Sequence, residues 1–170
     1  MIFAILSACL SADPHSCGPV TLVGHPFPTV EACRAAAPRI ASDWLKDHPA
    51  LVRDALACTP AADLPALPVR QVADGVHVHL GPVAQFEDSP DGWIANLGFV
   101  IGPDSIAVID AGASRAQGQA LFAAIRRISD KPISHLVITH MHPDHAFGAE
   151  VFREAGAAIL GHEDRKSTRL

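Results

Sequence analysis

Four side chains able to bind a metal fall within six residues of one short stretch, Thr139-His140-Met141-His142-Pro143-Asp144-His145. Neutral imidazoles and a carboxylate suit zinc, iron or manganese, and a catalytic centre keeps one position open for water. Two ions about 3.5–4 Å apart can bridge a hydroxide and clamp a substrate under attack. The bland alternative is a polar loop whose histidines only hydrogen-bond. Three histidines and an aspartate at this spacing weigh against it.

The flanking residues say how such a cluster is held. Ile133 to Ile138 is rich in β-branched residues and reads as a buried strand. Ala146 to Ala155 carries good helix formers, with Asp144 able to act as the N-cap. The cluster is therefore expected on a loop where a strand hands over to a helix. In an extended segment residues i and i+2 point the same way. His140 and His142 then converge on one ion while Met141 faces the core. Pro143 bends the backbone and turns Asp144 and His145 toward a second position.

The run THMHPDHAFG, Thr139 to Gly148, resembles the first metal motif of the metallo-β-lactamase fold hydrolases. Upstream, Asn96-Leu97-Gly98-Phe99-Val100-Ile101-Gly102 and Ala107-Val108-Ile109-Asp110-Ala111-Gly112 are similar to that family's opening strands. More narrowly, a four-cysteine leader joined to such a half-domain resembles the quinoprotein relay system zinc metallohydrolases. The resemblance covers residues 69–163. It implies an α/β fold of the αββα layered type, represented by its N-terminal half and preceded by a small α+β module.

For the site, the resemblance implies two zinc ions, with His140 and His142 on one and Asp144 and His145 on the other. Asp144 would also be catalytic, orienting the hydroxide or passing a proton. Asp110 would brace the metal loop from outside it. The implied activity is a metal-bound hydroxide attacking an ester, thioester or lactam-like small-molecule substrate. Iron-binding redox members share the motif, and a third reading is a non-catalytic periplasmic partner of a quinoprotein dehydrogenase system. The family's further ligands, a lone His, a bridging Asp and a final His, are not supplied by residue 170. The chain as written is thus expected to be C-terminally truncated and inactive.

Composition narrows the classes. A net charge of −5 with no basic stripe argues against nucleic acid as the main partner. Hydrophobic residues make up 49% of the 170, ample for a core, yet no segment approaches the ~18 apolar residues of a membrane span. Cys9, Cys17, Cys33 and Cys58 all fall in the first 60 residues without Cys-x-x-Cys spacing. Two disulfides suit a module too small to hold itself by burial, with three pairings open. They would imply an oxidising compartment such as a periplasm. Buried thiols in a cytoplasmic protein are the alternative. Met1 to Cys9 looks like a short secretion signal, but it lacks a preceding Lys or Arg and reads as well as a strand.

Read in order, residues 1–60 form the cysteine module. Strands are expected at Ile2 to Leu10, Val20 to Val23 and Ala50 to Cys58, with turns at Asp13-Pro14 and Cys17-Gly18-Pro19. Thr29 caps a helix from Val30 to Lys46. Residues 61–68 read as a Pro-rich extended linker, and residues 69–163 as the metal half-domain. In Val76-His77-Val78-His79-Leu80 the two histidines share one strand face, expected to look to solvent rather than to a metal. Glu87 to Gly92 is a polar loop, and Trp93 after it either lines a pocket or covers the core edge. Strands at Asn96 to Ile101 and Ser105 to Ile109 flank a Gly102-Pro103-Asp104 turn, and Asp110 closes the second. Ser114 caps a helix to about Ile128 with Leu121, Ile125 and Ile128 on its apolar face. Phe147, Val151 and Phe152 should form the inner face of the helix after the metal loop. Ala157 to Leu160 is a last strand, and His162 a structural histidine. Residues 164–170 turn abruptly polar and basic, and are expected to be a non-native tail.

Overall fold

The computed structural model describes residues 1–161. His162 and the 164–170 tail lie outside the described residues. The chain divides into two compact units, Met1–Leu64 and Pro65 onward.

In the first unit, β1 (Ile2–Leu10) runs between β2 (Asp13–Thr21) and β3 (Leu51–Pro60), antiparallel to both. Helix α1 (Val30–Lys46) begins where expected, because the Thr29 side chain accepts from the Ala32 N–H at 3.1 Å. Its buried residues Cys33, Ala37, Ile40 and Ala41 recur at helical spacing. They pack on Ala4, Leu6, Ala8, Val20 and Leu22 of the sheet. Replacing Thr29 by Ala should lower the stability of this unit by about 1 kcal/mol. Denaturation followed by Trp44, on the same helix, would read the loss, and an unchanged midpoint would refute the cap's role.

Cys9 is bonded to Cys17 across β1 and β2, and Cys33 to Cys58 between helix and sheet. The expected turn at Cys17-Gly18-Pro19 is instead strand. β2 starts at Asp13 and the chain reverses at Ser11-Ala12. The prolines are tolerated because β2 is an edge strand of this sheet. Leu22 N donates to Ala4 O at 2.9 Å and Pro19 pairs with Ser7. By the alternation of an antiparallel ladder, Pro19 therefore falls where an N–H would point away from β1.

Within the stretch expected to be an extended spacer, Ala61–Asp63 forms a 3₁₀ turn. Leu67 is buried and its N–H donates to Ala120 O at 3.0 Å. Apolar side chains among the prolines tie this segment down.

The second unit is a six-stranded sheet in the order β4 (Arg70–Ala73), β5 (Val76–His79), β6 (Leu97–Ile101), β7 (Ile106–Ile109), β8 (Ile133–Val137), β9 (Ala158–Leu160). Pairing is antiparallel from β4 to β7 and parallel from β7 to β9. Each parallel step is crossed by helix: α2 (Arg115–Arg126), then α3 (Pro143–Ala146) and α4 (Ala149–Glu154). Leu121, Ile125, Val151 and Phe152 are buried on these helices, with Phe99, Ile106, Val108, Ile133 and Leu136 from the sheet. Arg115 joins α2 to α4, reaching Glu150 at 3.0 Å and Glu154 at 2.6 Å.

Three side-chain expectations are corrected here. His77 and His79 are buried, while Leu80 on the other face is 53% exposed. The His77 ring stacks on Phe99, centroids 4.9 Å apart, and His79 Nδ1 bonds Pro68 O at 2.9 Å. An aromatic partner and a carbonyl make an imidazole face as good a core face as a valine one. Ile128 is 44% exposed, because α2 ends at Arg126 and its last turn no longer lies on the sheet. Phe147 is 59% exposed, because the helix after the metal loop is broken in two at Phe147-Gly148.

Candidate metal centre

Two loops at the carboxyl ends of the parallel neighbours β7 and β8 build the site. The first, 110–114, leaves β7 and enters α2. The second, 138–148, leaves β8 and contains α3. They are zipped together by backbone hydrogen bonds, Ala111 N to His145 O at 2.8 Å and Gly148 N to Gly112 O at 3.0 Å. Gly148 permits this approach, since a Cβ there would collide with Ala111 O. Glycine at this point is also why one expected helix becomes two.

His142, not Asp144, is the N-cap of α3, and it makes no side-chain cap. Pro143 occupies the first helical position, where a missing N–H is harmless. Asp144 lies inside the first turn, buried, with its carboxylate directed elsewhere. Met141 does not face the core; it is 61% exposed. The chain has left the sheet and bends at His140-Met141, so strand alternation stops at Ile138, which is buried.

The predicted ligands nonetheless come together in pairs. His140 Nε2 and His142 Nδ1 are 3.2 Å apart, and His145 Nε2 and Asp144 Oδ2 are 3.3 Å apart. Tetrahedral ligands at about 2.0–2.1 Å from one zinc ion are separated from each other by about 3.3 Å. Both pairs fall at that separation, which is a hydrogen-bond distance as well, and no three of the four donors form one group among the described residues. The His140 and His145 rings are neighbours as well, centroids 4.0 Å apart, so the two pairs adjoin. Desolvation, with the nearby His145 and His142, holds the His140 ring below the usual imidazole range, which favours the neutral form a metal requires.

Beneath the pairs sits Asp110. It is 3% exposed and has φ +58°, a left-handed conformation that aspartate adopts more readily than most residues. Its Oδ1 accepts from Thr139 N at 2.8 Å. Its Oδ2 lies 2.8 Å from Thr139 Oγ1 and 2.8 Å from His145 Nδ1. A carboxylate only accepts, so His145 carries its proton on Nδ1 and leaves Nε2 with a lone pair toward Asp144. Nearby, Trp93 Nε1 donates to Ser114 Oγ at 3.3 Å, and the same oxygen accepts from Gln117 N at 3.2 Å. Trp93 is therefore fixed against the cap of α2 beside the 110–114 loop. Thr139 went without a role in the sequence reading. A β-branched hydroxyl residue between a strand end and the first histidine was the available signal.

Residues 90–169 match the model of the metallo-beta-lactamase superfamily. A 50-residue segment is 44% identical to the linear primary-alkylsulfatase of Pseudomonas sp. (strain ATCC 19151), covering 29% of this chain and 10% of that enzyme. Similar solved structures include a metallo-beta-lactamase from Erythrobacter litoralis, 24% identical with a TM-score of 0.48. That alignment covers 56% of this chain and 41% of the other. Another is a metallo-beta-lactamase from Hirschia baltica, 21% identical with a TM-score of 0.48, covering 58% and 44%. The chain spans less than half the length of each of these relatives.

Proposed function

We propose that the protein is a zinc-dependent hydrolase of the metallo-beta-lactamase superfamily, whose model residues 90–169 match, with its metal loop at 139–145. The observation that carries this is the paired donor spacing, 3.2 Å for His140 and His142 and 3.3 Å for Asp144 and His145. His140 and His142 hold the first zinc, and Asp144 and His145 the second. Zinc bound there supplies Lewis acidity and lowers the pKa of a bound water toward neutrality. Asp110 holds the His145 ring in orientation, and the zipped 111–148 backbone keeps both loops from spreading as charge enters. Asp144, buried beside His145, accepts or returns a proton at its carboxylate.

The substrate is a small molecule with a hydrolysable acyl bond, an ester, thioester or lactam. The alkylsulfatase match adds sulfate esters to the panel worth assaying. The two disulfides support placement in an oxidising compartment such as a periplasm. The four-cysteine unit is a candidate docking piece for a quinoprotein dehydrogenase system there.

The test is metal content after purification without added metal, followed by zinc titration of the chelator-treated protein. Stoichiometric zinc is expected, removable by a chelator and restored by titration. Iron in its place would favour the redox members of the fold. Failure to take up any divalent ion at stoichiometry would sink the proposal. Activity of the whole protein is then read on thioester, lactone, lactam and alkyl sulfate substrates with and without zinc.

A further inference from the structure

We propose that Thr139 is a positioning residue, whose hydroxyl passes the orientation set by Asp110 to His140 and so holds that ring in the tautomer able to bind metal. The inference rests on the reading of His140 as a ligand and adds to it a residue that touches no ion.

The argument is a count of protons. A threonine hydroxyl has one proton to give and lone pairs with which to accept. Thr139 Oγ1 lies 2.8 Å from Asp110 Oδ2, which as a carboxylate can only accept. The hydroxyl proton is therefore spent on Asp110. Thr139 Oγ1 also lies 3.0 Å from His140 Nδ1. With its proton committed, the oxygen can only accept there, so His140 Nδ1 must carry the proton. His140 Nε2 is left with its lone pair, and it is this atom that faces His142.

Asp110 thus sets two histidines by different routes. It accepts directly from His145 Nδ1 and acts on His140 through Thr139. Neither route reaches His142. Its Nδ1 sits 3.2 Å from the His140 lone pair, where without an ion it must donate. His142 alone has to move its proton to Nε2 before the pair can share a metal. The exposure of His142 lets solvent carry that proton. Two ring orientations are prepared and one is left to solvent.

The experiment uses the full 170-residue chain with ¹⁵N-labelled histidine rings, metal-free, at a pH where the rings are neutral. Two-bond ¹H–¹⁵N spectra report the tautomer of each ring. His140 should be Nδ1-protonated in the wild type and in Thr139→Ser, and should shift to mainly Nε2-protonated in Thr139→Val. Zinc affinity measured by chelator competition should fall about tenfold or more in Thr139→Val and stay near wild type in Thr139→Ser. A wild-type His140 protonated at Nε2 would overturn the proposal, as would an unchanged His140 tautomer in Thr139→Val. Should Thr139→Val not fold, the wild-type spectrum still decides. If wild type binds no zinc while His140 is Nδ1-protonated and shifts to Nε2 in Thr139→Val, the metal reading falls and the role of Thr139 in setting the ring is upheld.

Discussion

Replacing His142 by Ala is expected to abolish binding of the first zinc, the one it shares with His140, while leaving the fold intact. His142 is one of two ligands this loop is proposed to give that ion, and zinc affinity depends on the number of ligands the protein supplies. Removing one should therefore weaken the affinity by a hundredfold or more. The fold should survive because His142 is exposed, caps α3 with its backbone alone, and sits outside the core. The unfolding midpoint of the metal-free variant is the control, and it should match wild type. Stoichiometric zinc retained at wild-type affinity would remove His142 from the site. A collapse of stability instead would show a structural histidine.

The second large effect belongs to the cysteine unit. Cross-linking closes a loop in the unfolded chain, and the benefit grows with loop length. Cys33 and Cys58 are 25 residues apart, Cys9 and Cys17 only 8. Chain entropy gives about 3.5 kcal/mol for the first bond and about 2.5 kcal/mol for the second. The paired change Cys33→Ala with Cys58→Ala should cost still more than its entropy, because Cys33 is wholly buried against the sheet. Cys9→Ala with Cys17→Ala should cost less. Denaturation of each variant in a Trp93→Phe background isolates Trp44 as the reporter of this unit. An equal cost for the two pairs, or the reverse order, would contradict the loop argument.

Much of the fold was legible because it is periodic. Thr29 with the helix behind it, the strand from Ile2 to Leu10, and the β-branched run before His140 all follow local rules that act within a few residues. The metal loop was picked out by composition, and His140, His142, Asp144 and His145 do lie near one another in two pairs. What escaped was decided by partners far along the chain. His77 and His79 looked like a wet face until Phe99 and the Pro68 carbonyl took them up. Met141 looked buried because alternation was extended past the last residue of the strand. Asp144 looked like a cap until Pro143 claimed the first helical position. The break at Gly148 came from a backbone 37 positions earlier, at Ala111. The resemblance suggested Asp110 as a brace, but its grip on Thr139 depends on a register that no local pattern records.

The edge strand of the cysteine unit bears on a hazard of a different kind. A short sheet with an open side can template the addition of a strand from another molecule, the first step of edge-to-edge aggregation. β2 is such a side. At Pro19 the outward-pointing position has no hydrogen to offer an incoming chain, and the ladder toward β1 loses nothing by it. A proline in an edge strand thus works against pairing with a second chain while leaving the sheet's own ladder whole.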